Sequence, residues 1–356
     1  VLIFDHLKHH IRMVTYLHLN APDLEAEYRR AVATLDVIQQ RLQQEVHLPL
    51  EPQADPLVES ARVTSNCTQQ EFEERVRQAQ EYIRAGDIFQ VVPSLRLNRL
   101  VNAAPLTVYR ALRTINPSPY MFYLDLDDFQ IVGASPELLI RVEDGTVTTH
   151  PIAGTRPRGG HPEQDRRLEE ELLADTKERA EHVMLVDLGR NDVGRISAQG
   201  SVRVTEFMGV ERYSHVMHLV SNVTGHLRSD LSPFDALRAG FPAGTVSGAP
   251  KIRAMEIISE LEGSRRGVYA GAVGYFSYSS NLDTAIALRT IVMKDGQAYI
   301  QAGAGVVADS HPATEFQECM NKAQALLHAL DKAEQMAGTW HERPATTVGG
   351  TYAAVD

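Results

Sequence analysis

Cysteine, tryptophan and long apolar segments are scarce in this chain of 356 residues, which contains two cysteines and one tryptophan. Cys67 and Cys319 lie far apart in the sequence and form no Cys-x-x-Cys pair, which argues against a disulfide framework. No apolar run is long enough to cross a bilayer, and the N-terminus does not have the pattern of a signal peptide. We therefore expect the protein to work in a reducing, cytoplasmic compartment.

Basic clusters are also absent, although charged residues make up 23% of the chain and the formal net charge is −11. Because nucleic acids and anionic membranes bind positively charged surfaces, neither is an expected partner. The nucleotide-binding spacing GxxxxGK[ST] does not occur. The apolar fraction of 43% is that of a globular protein, so the chain can form one large domain or two of ordinary size.

Predicted helices and strands are mixed along the chain without a regular βαβ alternation. Short turns such as Asp144-Gly145 and Asp295-Gly296 favour antiparallel strand pairs. The pattern therefore predicts an α+β fold rather than a doubly wound parallel sheet.

The domain organisation follows from where periodicity is lost. Residues 47–64 are rich in proline and have no periodicity, so they are predicted to be a linker. We expect residues 1–64 to be the remnant of an N-terminal region plus this linker, 65–336 to be the main domain, and 337–356 to be a disordered tail. The chain begins with Val1 rather than Met, which suggests that it was cut from a longer one.

Two pairs of glutamates have the three-residue spacing that places side chains on one face of a helix. Glu178 and Glu181 lie in the segment 163–188, which has no Gly or Pro and is predicted to be one helix. Glu315 and Glu318 lie near the start of the C-terminal helix. Like charges at this spacing repel, and a hard divalent cation such as Mg²⁺ suits all-oxygen ligands. A metal site between the pairs and two solvated acidic helix faces both fit this pattern.

Three further polar residues are candidates for chemistry. Arg289 lies inside an apolar strand, where its guanidinium needs either a substrate carboxylate or an internal acid as a partner. His218, in a second apolar strand, is either a satisfied core residue or a catalytic base. Glu137 follows Ser-Pro at the head of a strand and can act as a general acid if it is buried.

Ordered sequence blocks between about Gln69 and Leu330 resemble the chorismate-using enzymes, and most closely the large subunits (component I) of anthranilate synthases. The blocks are GDIFQVVPS (86–94), NPSPYMF (116–122), GASPELL (133–139), PIAGTRPRG (151–159), KERAEHVMLVDLGRND (177–192), SHVMHLVS (214–221), FPAGTVSGAPKIRAMEII (241–258), YAGAVGYF (269–276) and GAGVVADSHPATEFQECMNKA (303–323). So many blocks in the same order make a chance resemblance negligible.

The resemblance implies a fold and a set of site residues. The fold has two large, mostly antiparallel sheets packed on each other with helices outside, and 65–336 would be the chorismate-binding catalytic domain. The positions that match the family's Mg²⁺ site are Glu181 and Glu318 as direct ligands, with Glu178 and Glu315 acting through water. The positions that match chorismate-binding residues are Ala153, Gly154, Thr155, Thr245, Tyr269, Arg289, Gly303, Ala304, Gly305 and Lys322.

The implied reaction is the first committed step of tryptophan biosynthesis, in which chorismate and ammonia give anthranilate and pyruvate. Glu137 would protonate the leaving C4 hydroxyl, and His218 would take the ring proton. Ammonia derived from glutamine would need a separate amidotransferase subunit, because neither cysteine lies in a Gly-x-Cys-x-Gly elbow.

Two positions separate the sister activities of the family. Isochorismate-forming relatives have a lysine base at the position of Gln90, and a glutamine cannot deprotonate water. Aminodeoxychorismate synthases typically have a nucleophilic lysine at the position of Ala153, and alanine has no nucleophile. Both residues favour anthranilate formation. Aminodeoxychorismate synthase and an inactive, truncated chorismate-binding module are the alternatives.

The resemblance also bears on feedback inhibition by tryptophan. One half of the family's effector site matches Asn116, Pro117, Ser118, Pro119, Tyr120 and Met121. The other half is a Leu-Leu-Glu-Ser segment in a longer N-terminal region; Leu57-Val-Glu-Ser60 resembles it but lies in the predicted linker. We therefore expect weak or absent inhibition by tryptophan, and a titration of tryptophan against activity tests this.

Overall fold

The computed structural model describes residues 1–44, 62–213 and 216–339. The chain divides into two compact units, Val1–Leu50 and Glu51–Asp356. Most of the predicted linker and the predicted tail from residue 340 onward lie outside the described residues, and so does Leu57-Val-Glu-Ser60. None of the described helices is both long and apolar enough to cross a membrane.

Most of the described helices begin after a residue whose side chain accepts a hydrogen bond from a free backbone N–H group. Asp23, for example, caps the first helix by accepting a hydrogen bond from the backbone of Ala26. The helices are α1 (Leu24–Gln43), α2 (Gln69–Ala85), α3 (Pro105–Ile115), α4 (Pro162–Ala174), α5 (Thr176–Gly194), α6 (Pro233–Gly240), α7 (Lys251–Glu262) and α8 (Pro312–Thr339).

The strands are short and are joined mainly by tight turns. They are β1 (Leu2–Asp5), β2 (His10–Met13), β3 (Thr64–Ser65), β4 (Gln90–Val91), β5 (Ser94–Leu100), β6 (Tyr120–Asp125), β7 (Gln130–Ser135), β8 (Leu138–Glu143), β9 (Thr146–Thr149), β10 (Ile152–Pro157), β11 (Arg203–Arg212), β12 (Val216–His226), β13 (Gly248–Ala249), β14 (Ala272–Phe276), β15 (Leu282–Ile286), β16 (Thr290–Lys294) and β17 (Gln297–Gly303).

The pairing of these strands confirms the predicted α+β class with antiparallel sheets. In the first unit, β1 pairs with β2. In the second unit, a seven-stranded sheet has the order β10-β12-β9-β8-β15-β14 with β11 beside β12, and a six-stranded sheet has the order β3-β5-β17-β16-β7-β6. A small sheet joins β13 to β4. All the pairs described are antiparallel, as expected from the short turns.

Each large sheet is covered by its own helices through a separate hydrophobic cluster. Val76 of α2, Ile257 of α7 and Leu326 of α8 pack against the six-stranded sheet. Val186 of α5 and Ala236 of α6 pack against the seven-stranded sheet. The two acid-bearing helices, α5 and α8, are therefore anchored on different sheets.

The single helix predicted over 163–188 is wrong, because the chain breaks at Asp175 into α4 and α5. The Asp175 side chain accepts hydrogen bonds from the backbone of Lys177 and Glu178. An aspartate that binds the backbone in this way starts a new helix instead of continuing the old one. The sequence carried this information in Asp175 followed by Glu178, a spacing typical of a helix start.

The prediction that Arg289 lies inside an apolar strand is also wrong. Arg289 lies between β15 and β16, which belong to different large sheets, and its φ is 45°. Alternation of side chains shows where a strand lies but not which sheet it joins.

Candidate active site

Helix α5 turns Glu181 inward because Leu185, one turn later on the same face, is buried. Burial raises the pKa of the Glu181 carboxyl, and the negative charges of Glu178 and Glu318 raise it further. The α5 and α8 acids, distant in sequence, thus influence one another electrostatically. This arrangement favours the interpretation of a shared cation site over that of two solvated faces.

On α8, Glu315 is buried because Cys319, four residues later, faces the core. Burial raises the pKa of Glu315, and the charge of Glu318 adds to this effect. Glu178 and Glu318 each have a cationic partner: Arg156 Nη1 lies 3.4 Å from Glu178 Oε1, and Lys322 Nζ lies 2.7 Å from Glu318 Oε1.

No group of three His, Cys, Asp or Glu side chains within 1–44, 62–213 and 216–339 is arranged to hold a metal ion. Two of the four glutamates are instead paired with Arg156 and Lys322. The donor chemistry nevertheless fits Mg²⁺, since all four side chains offer carboxylate oxygens and the charge of Glu318 on α8 raises the pKa of Glu181 on α5. The metal ligands stay a prediction.

Gln90 lies beside the acids, on the short strand β4. Its Nε2 donates a hydrogen bond to Glu181 Oε1 at 3.1 Å. A Cβ atom on Gly305 would lie 2.6 Å from the same nitrogen, so a side chain at this position would displace the Gln90 amide. The Gln90 Oε1 atom is buried and has no partner within the described part of the chain. This carbonyl oxygen can accept a hydrogen bond from a small molecule in the site.

Glu137 has the strongest acid–base potential of the predicted residues. Burial raises the pKa of its carboxyl from 4.5 to about 7, against the opposing effects of Thr245 and of the positive charges of Lys322 and Arg289. Glu137 and Thr245 also line a cavity of about 40 Å³ beneath the site. A carboxyl group with a pKa near neutrality can hold a proton and still release it.

Lys322 joins α8 to the end of β17. Its ammonium donates to the Gly303 carbonyl oxygen at 3.0 Å, in addition to its ion pair with Glu318. A Cβ atom on Gly303 would lie 2.7 Å from the Tyr269 hydroxyl oxygen. The Lys322 ammonium and the Tyr269 phenol therefore flank the Gly303 backbone, and both groups can donate hydrogen bonds to an anion.

A β-bulge between β10 and β12 contains three of the predicted chorismate-binding residues, 153–155. The register shifts between Ala153 and Thr155, and the intervening Gly154 has φ of +66°, which a residue with a side chain adopts only with strain. The bulge brings the Gly154 carbonyl oxygen to 2.9 Å from His218 Nδ1, and the Thr155 hydroxyl to 3.1 Å from the same nitrogen.

These contacts define how His218 can act. Because a carbonyl oxygen only accepts, we assign the proton to Nδ1, which leaves Nε2 of the neutral ring as the basic atom. Burial lowers the pKa of His218, and the positive charge of Arg289 lowers it further, against the hydrogen bond to Gly154. A neutral imidazole with a free Nε2 has the state required of a general base.

Arg289 lies at the junction of β15 and β16. Burial lowers the pKa of its guanidinium, and the Glu137 charge opposes this shift. Within the residues that the structure describes, no carboxylate lies within 4 Å of it. The geometry therefore favours a substrate carboxylate as its partner over an internal ion pair.

Sequence reasoning assigned no role to several residues that hold the site together. Arg156 binds Glu178 together with Asp175 and Glu171. In the sequence, Arg156 is only one residue of the block PIAGTRPRG, and nothing near it indicates these three partners. Arg266 and Glu262 form a buried pair whose only sequence indication is their four-residue spacing.

The predicted effector segment 116–121 connects α3 to β6. The Tyr120 hydroxyl donates to Asp283 Oδ1 at 3.2 Å and accepts a hydrogen bond from Arg141, which links the two large sheets. Its expected counterpart at 57–60 lies outside the described residues, so the effector role stays a prediction.

Comparisons of the sequence and of the structure with known proteins agree on one family. Residues 1–328 match the family described as chorismate binding enzyme. The chain is 54% identical over 343 residues to anthranilate synthase component 1 of Acetivibrio thermocellus and 53% identical over 340 residues to that of Pseudomonas aeruginosa; each match covers 94% of this chain and 68% of the relative. The crystal structure of anthranilate synthase component I from Streptococcus pneumoniae superposes with a TM-score of 0.80 at 45% identity, covering 92% of this chain and 71% of that one.

Proposed function

Because this chain belongs to the chorismate-binding enzyme family, we propose that it converts chorismate and ammonia to anthranilate and pyruvate. The observation that carries the proposal is the pair of residues that distinguish the sister activities. Gln90, which is not a base, contacts the acid cluster, and Ala153, which is not a nucleophile, lies at the bulge beside His218. The match to relatives named anthranilate synthase component 1 supports the same reaction.

Chorismate carries two carboxylates, and the site offers separate positive groups for them. One carboxylate would bind Arg289, which has no acid partner at ion-pair distance in the described ranges, together with the Tyr269 hydroxyl. The second would lie near Lys322 and the backbone of 303–305. Thr245, whose buried hydroxyl lies close enough to Glu137 to lower the pKa of that carboxyl, would contact the ring substituents along with 153–155.

Glu181 and Glu318 would bind Mg²⁺ directly, with Glu178 and Glu315 as outer ligands through water. When bound, Mg²⁺ would neutralise the acid cluster and polarise the substrate carboxylate and its leaving group. Lys322 pairs with Glu318 in this structure, and its ammonium would also offer a positive charge to a substrate carboxylate.

The acid–base steps follow from the two titrating side chains. Protonated Glu137 would give its proton to the C4 hydroxyl, which leaves as water while ammonia adds at C2. Gln90 Oε1 would accept a hydrogen bond from the incoming ammonia, and the ammonium group formed at C2 would lose one proton to solvent. His218 Nε2 would then take the proton from C2 as the enolpyruvyl C–O bond breaks, which makes the ring aromatic. The departing enolate would take up a proton at its methylene carbon to give pyruvate.

A second polypeptide would supply the ammonia. The name component 1 of the relatives supports a partner, and a glutamine amidotransferase provides the required chemistry. With the chain alone, ammonium salts at alkaline pH should replace glutamine as the nitrogen source.

The decisive experiment is an assay of the chain with chorismate, Mg²⁺ and ammonium. We expect a fluorescent aromatic product together with stoichiometric pyruvate. A product that retains the enolpyruvyl group would identify aminodeoxychorismate formation instead, and chorismate binding without turnover would identify an inactive binding module.

The metal site is tested by Glu181→Gln. We expect loss of Mg²⁺-dependent activity by a factor of about 10² or more, and higher thermal stability in the absence of metal, because a buried carboxylate repelled by Glu178 and Glu318 has been neutralised. Asp187→Asn, at an exposed position of the same helix, is the control and should change neither quantity. Unchanged Mg²⁺ dependence in Glu181→Gln would contradict the ligand assignment.

A further inference from the structure

Arg266 follows the end of α7 and is held by a fork of two hydrogen bonds to Glu262. Its Nε donates to Glu262 Oε2 at 3.0 Å and its Nη2 to Oε1 at 2.6 Å. The Glu262 side chain is 3% exposed and that of Arg266 is 15% exposed. The pair is therefore removed from solvent, where both partners must be fully hydrogen-bonded to persist.

The remaining contacts of Arg266 reach three separate chain segments. Nη1 donates to the Val246 carbonyl oxygen at 2.7 Å, and Nη2 donates to that of Val92 at 2.5 Å. The guanidinium carbon lies 5.4 Å from the centre of the Tyr269 ring, in cation–π geometry. A lysine side chain could not make all these contacts at once, because they depend on the fixed, planar arrangement of the guanidinium N–H groups.

Glu262 extends the same network to the end of the six-stranded sheet. Its Oε1 accepts from the Ser94 backbone N–H at 2.8 Å and from the Ser94 hydroxyl at 2.7 Å. Ser94 is paired in register with Gly303. The carboxylate thus fixes the start of β5, against which the end of β17 at Gly303 is paired.

Each segment held by this pair carries a residue of the substrate pocket. Val246 follows Thr245 directly, Ser94 pairs with Gly303, and Tyr269 is touched by the guanidinium itself. We propose that Arg266, together with Glu262, is a positioning residue that sets the relative places of these three substrate contacts. The proposal rests on the proposed function for the identity of the substrate. Four of the five guanidinium donors are already engaged within the protein, so Arg266 acts through its neighbours and not by binding chorismate.

The test compares Arg266→Lys and Glu262→Gln with a matched control, Arg99→Lys. Arg99, near the opposite end of β5 from Ser94, is also a buried arginine with two acidic partners, but these are Asp331 and Glu334 of α8. Arg266→Lys and Glu262→Gln, the two variants of the clamp that Arg266 and Glu262 form, should raise the KM for chorismate. They should lower kcat/KM by about 10- to 100-fold, as expected for a misplaced binding geometry. The Mg²⁺ concentration for half-maximal activity should stay unchanged, because the acids on α5 and α8 are not part of the clamp.

Hydrogen–deuterium exchange gives a second measurement that does not need turnover. In the clamp variants, exchange should accelerate in peptides that cover 244–247 and 267–271, whereas Arg99→Lys should leave these peptides protected. This result would support the clamp even if the chorismate assay failed, which separates the two proposals.

Two outcomes would overturn the positioning role. Equal loss of stability in Arg266→Lys and Arg99→Lys, with an unchanged chorismate KM and unchanged exchange in both, would make the pair a purely structural ion pair. If Arg266→Lys does not fold, the near-isosteric Glu262→Gln decides alone, and an unchanged KM and exchange pattern in that variant refute the proposal.

Discussion

Glu137 and His218 acquire their chemical states from opposite effects of the same desolvation. Burial favours the uncharged form of each group, so it raises the pKa of the carboxyl and lowers that of the imidazole. Near neutral pH the Glu137 carboxyl is therefore partly protonated and the His218 imidazole is neutral. The positive charge of Arg289 acts on both groups: after Thr245 and Lys322 it lowers the pKa of Glu137, and it also lowers the pKa of His218.

The first prediction concerns pH and activity. If Glu137 must be protonated to release the C4 hydroxyl, kcat/KM should fall about tenfold per pH unit above pH 7. Glu137→Gln should lower kcat by about 10²- to 10⁴-fold and remove this alkaline limb. A pH profile with ammonia concentration held constant checks it; an alkaline limb that survives in the variant would assign the acid to another residue.

The raised pKa of Glu137 also predicts how the stability of the protein depends on pH. Between pH 4.5 and about 7 the folded protein keeps the Glu137 proton while the unfolded chain loses it. The contribution to the free energy of unfolding is therefore full below pH 4.5 and is lost as the pH rises through 7. Urea titrations of the wild type and of Glu137→Gln should therefore give different pH dependences of the free energy of unfolding. Between pH 4.5 and about 7 this free energy should fall in the wild type and change less in the variant.

At the level of elements, the break between α4 and α5 determines where the acids point. A single continuous helix would keep one axis from residue 163 to 188. The Asp175 cap lets α5 start in a new direction, and Arg156 holds the cap, Glu171 and Glu178 together. Helix α8 has no such break, so its acids are placed by core residues such as Cys319 and Leu326.

Removal of this cap should affect stability and metal binding together. Asp175→Ala should lower the free energy of unfolding by about 1 kcal/mol and raise the Mg²⁺ concentration needed for half-maximal activity, because Glu178 lies in the first turn of α5. Asp175→Asn keeps the capping oxygen but not the charge facing Arg156. If both variants lose the same stability in urea, the ion pair and not the cap is responsible.

At the level of the whole molecule, the proposed site lies entirely within the second unit, between Gln90 and Lys322. Its residues come from both large sheets and from α5 and α8. Within residues 1–44 of the first unit, by contrast, Ala31 is the one buried apolar residue. A helix and a two-stranded hairpin with so little burial cannot form a stable core.

A truncation separates the two units. A chain that starts at Arg62 should unfold cooperatively and keep most of the activity with chorismate and ammonium, since it contains every proposed site residue. A peptide of residues 1–44 should show little stable structure by circular dichroism. Loss of activity in a folded truncated chain would show that the first unit contributes to catalysis.

The sequence by itself determined the features that depend on residue identity and near neighbours. Helical spacing of Glu178 with Glu181 and of Glu315 with Glu318, the glutamine at 90 and the alanine at 153 are all legible without coordinates, as is the antiparallel α+β class. The cap at Asp175 was also legible, because an aspartate followed three residues later by a glutamate is a local pattern.

Only the tertiary structure decided which distant groups meet. The contact of Gln90 with Glu181, the change of sheet at Arg289 and the reach of Arg266 to Val92, Val246 and Tyr269 all join segments far apart in the chain. The pKa of Glu137 depends on how much water the packed sheets exclude. Local patterns fix the backbone over a few residues, whereas burial and long-range partners are set by the packing of all the elements at once.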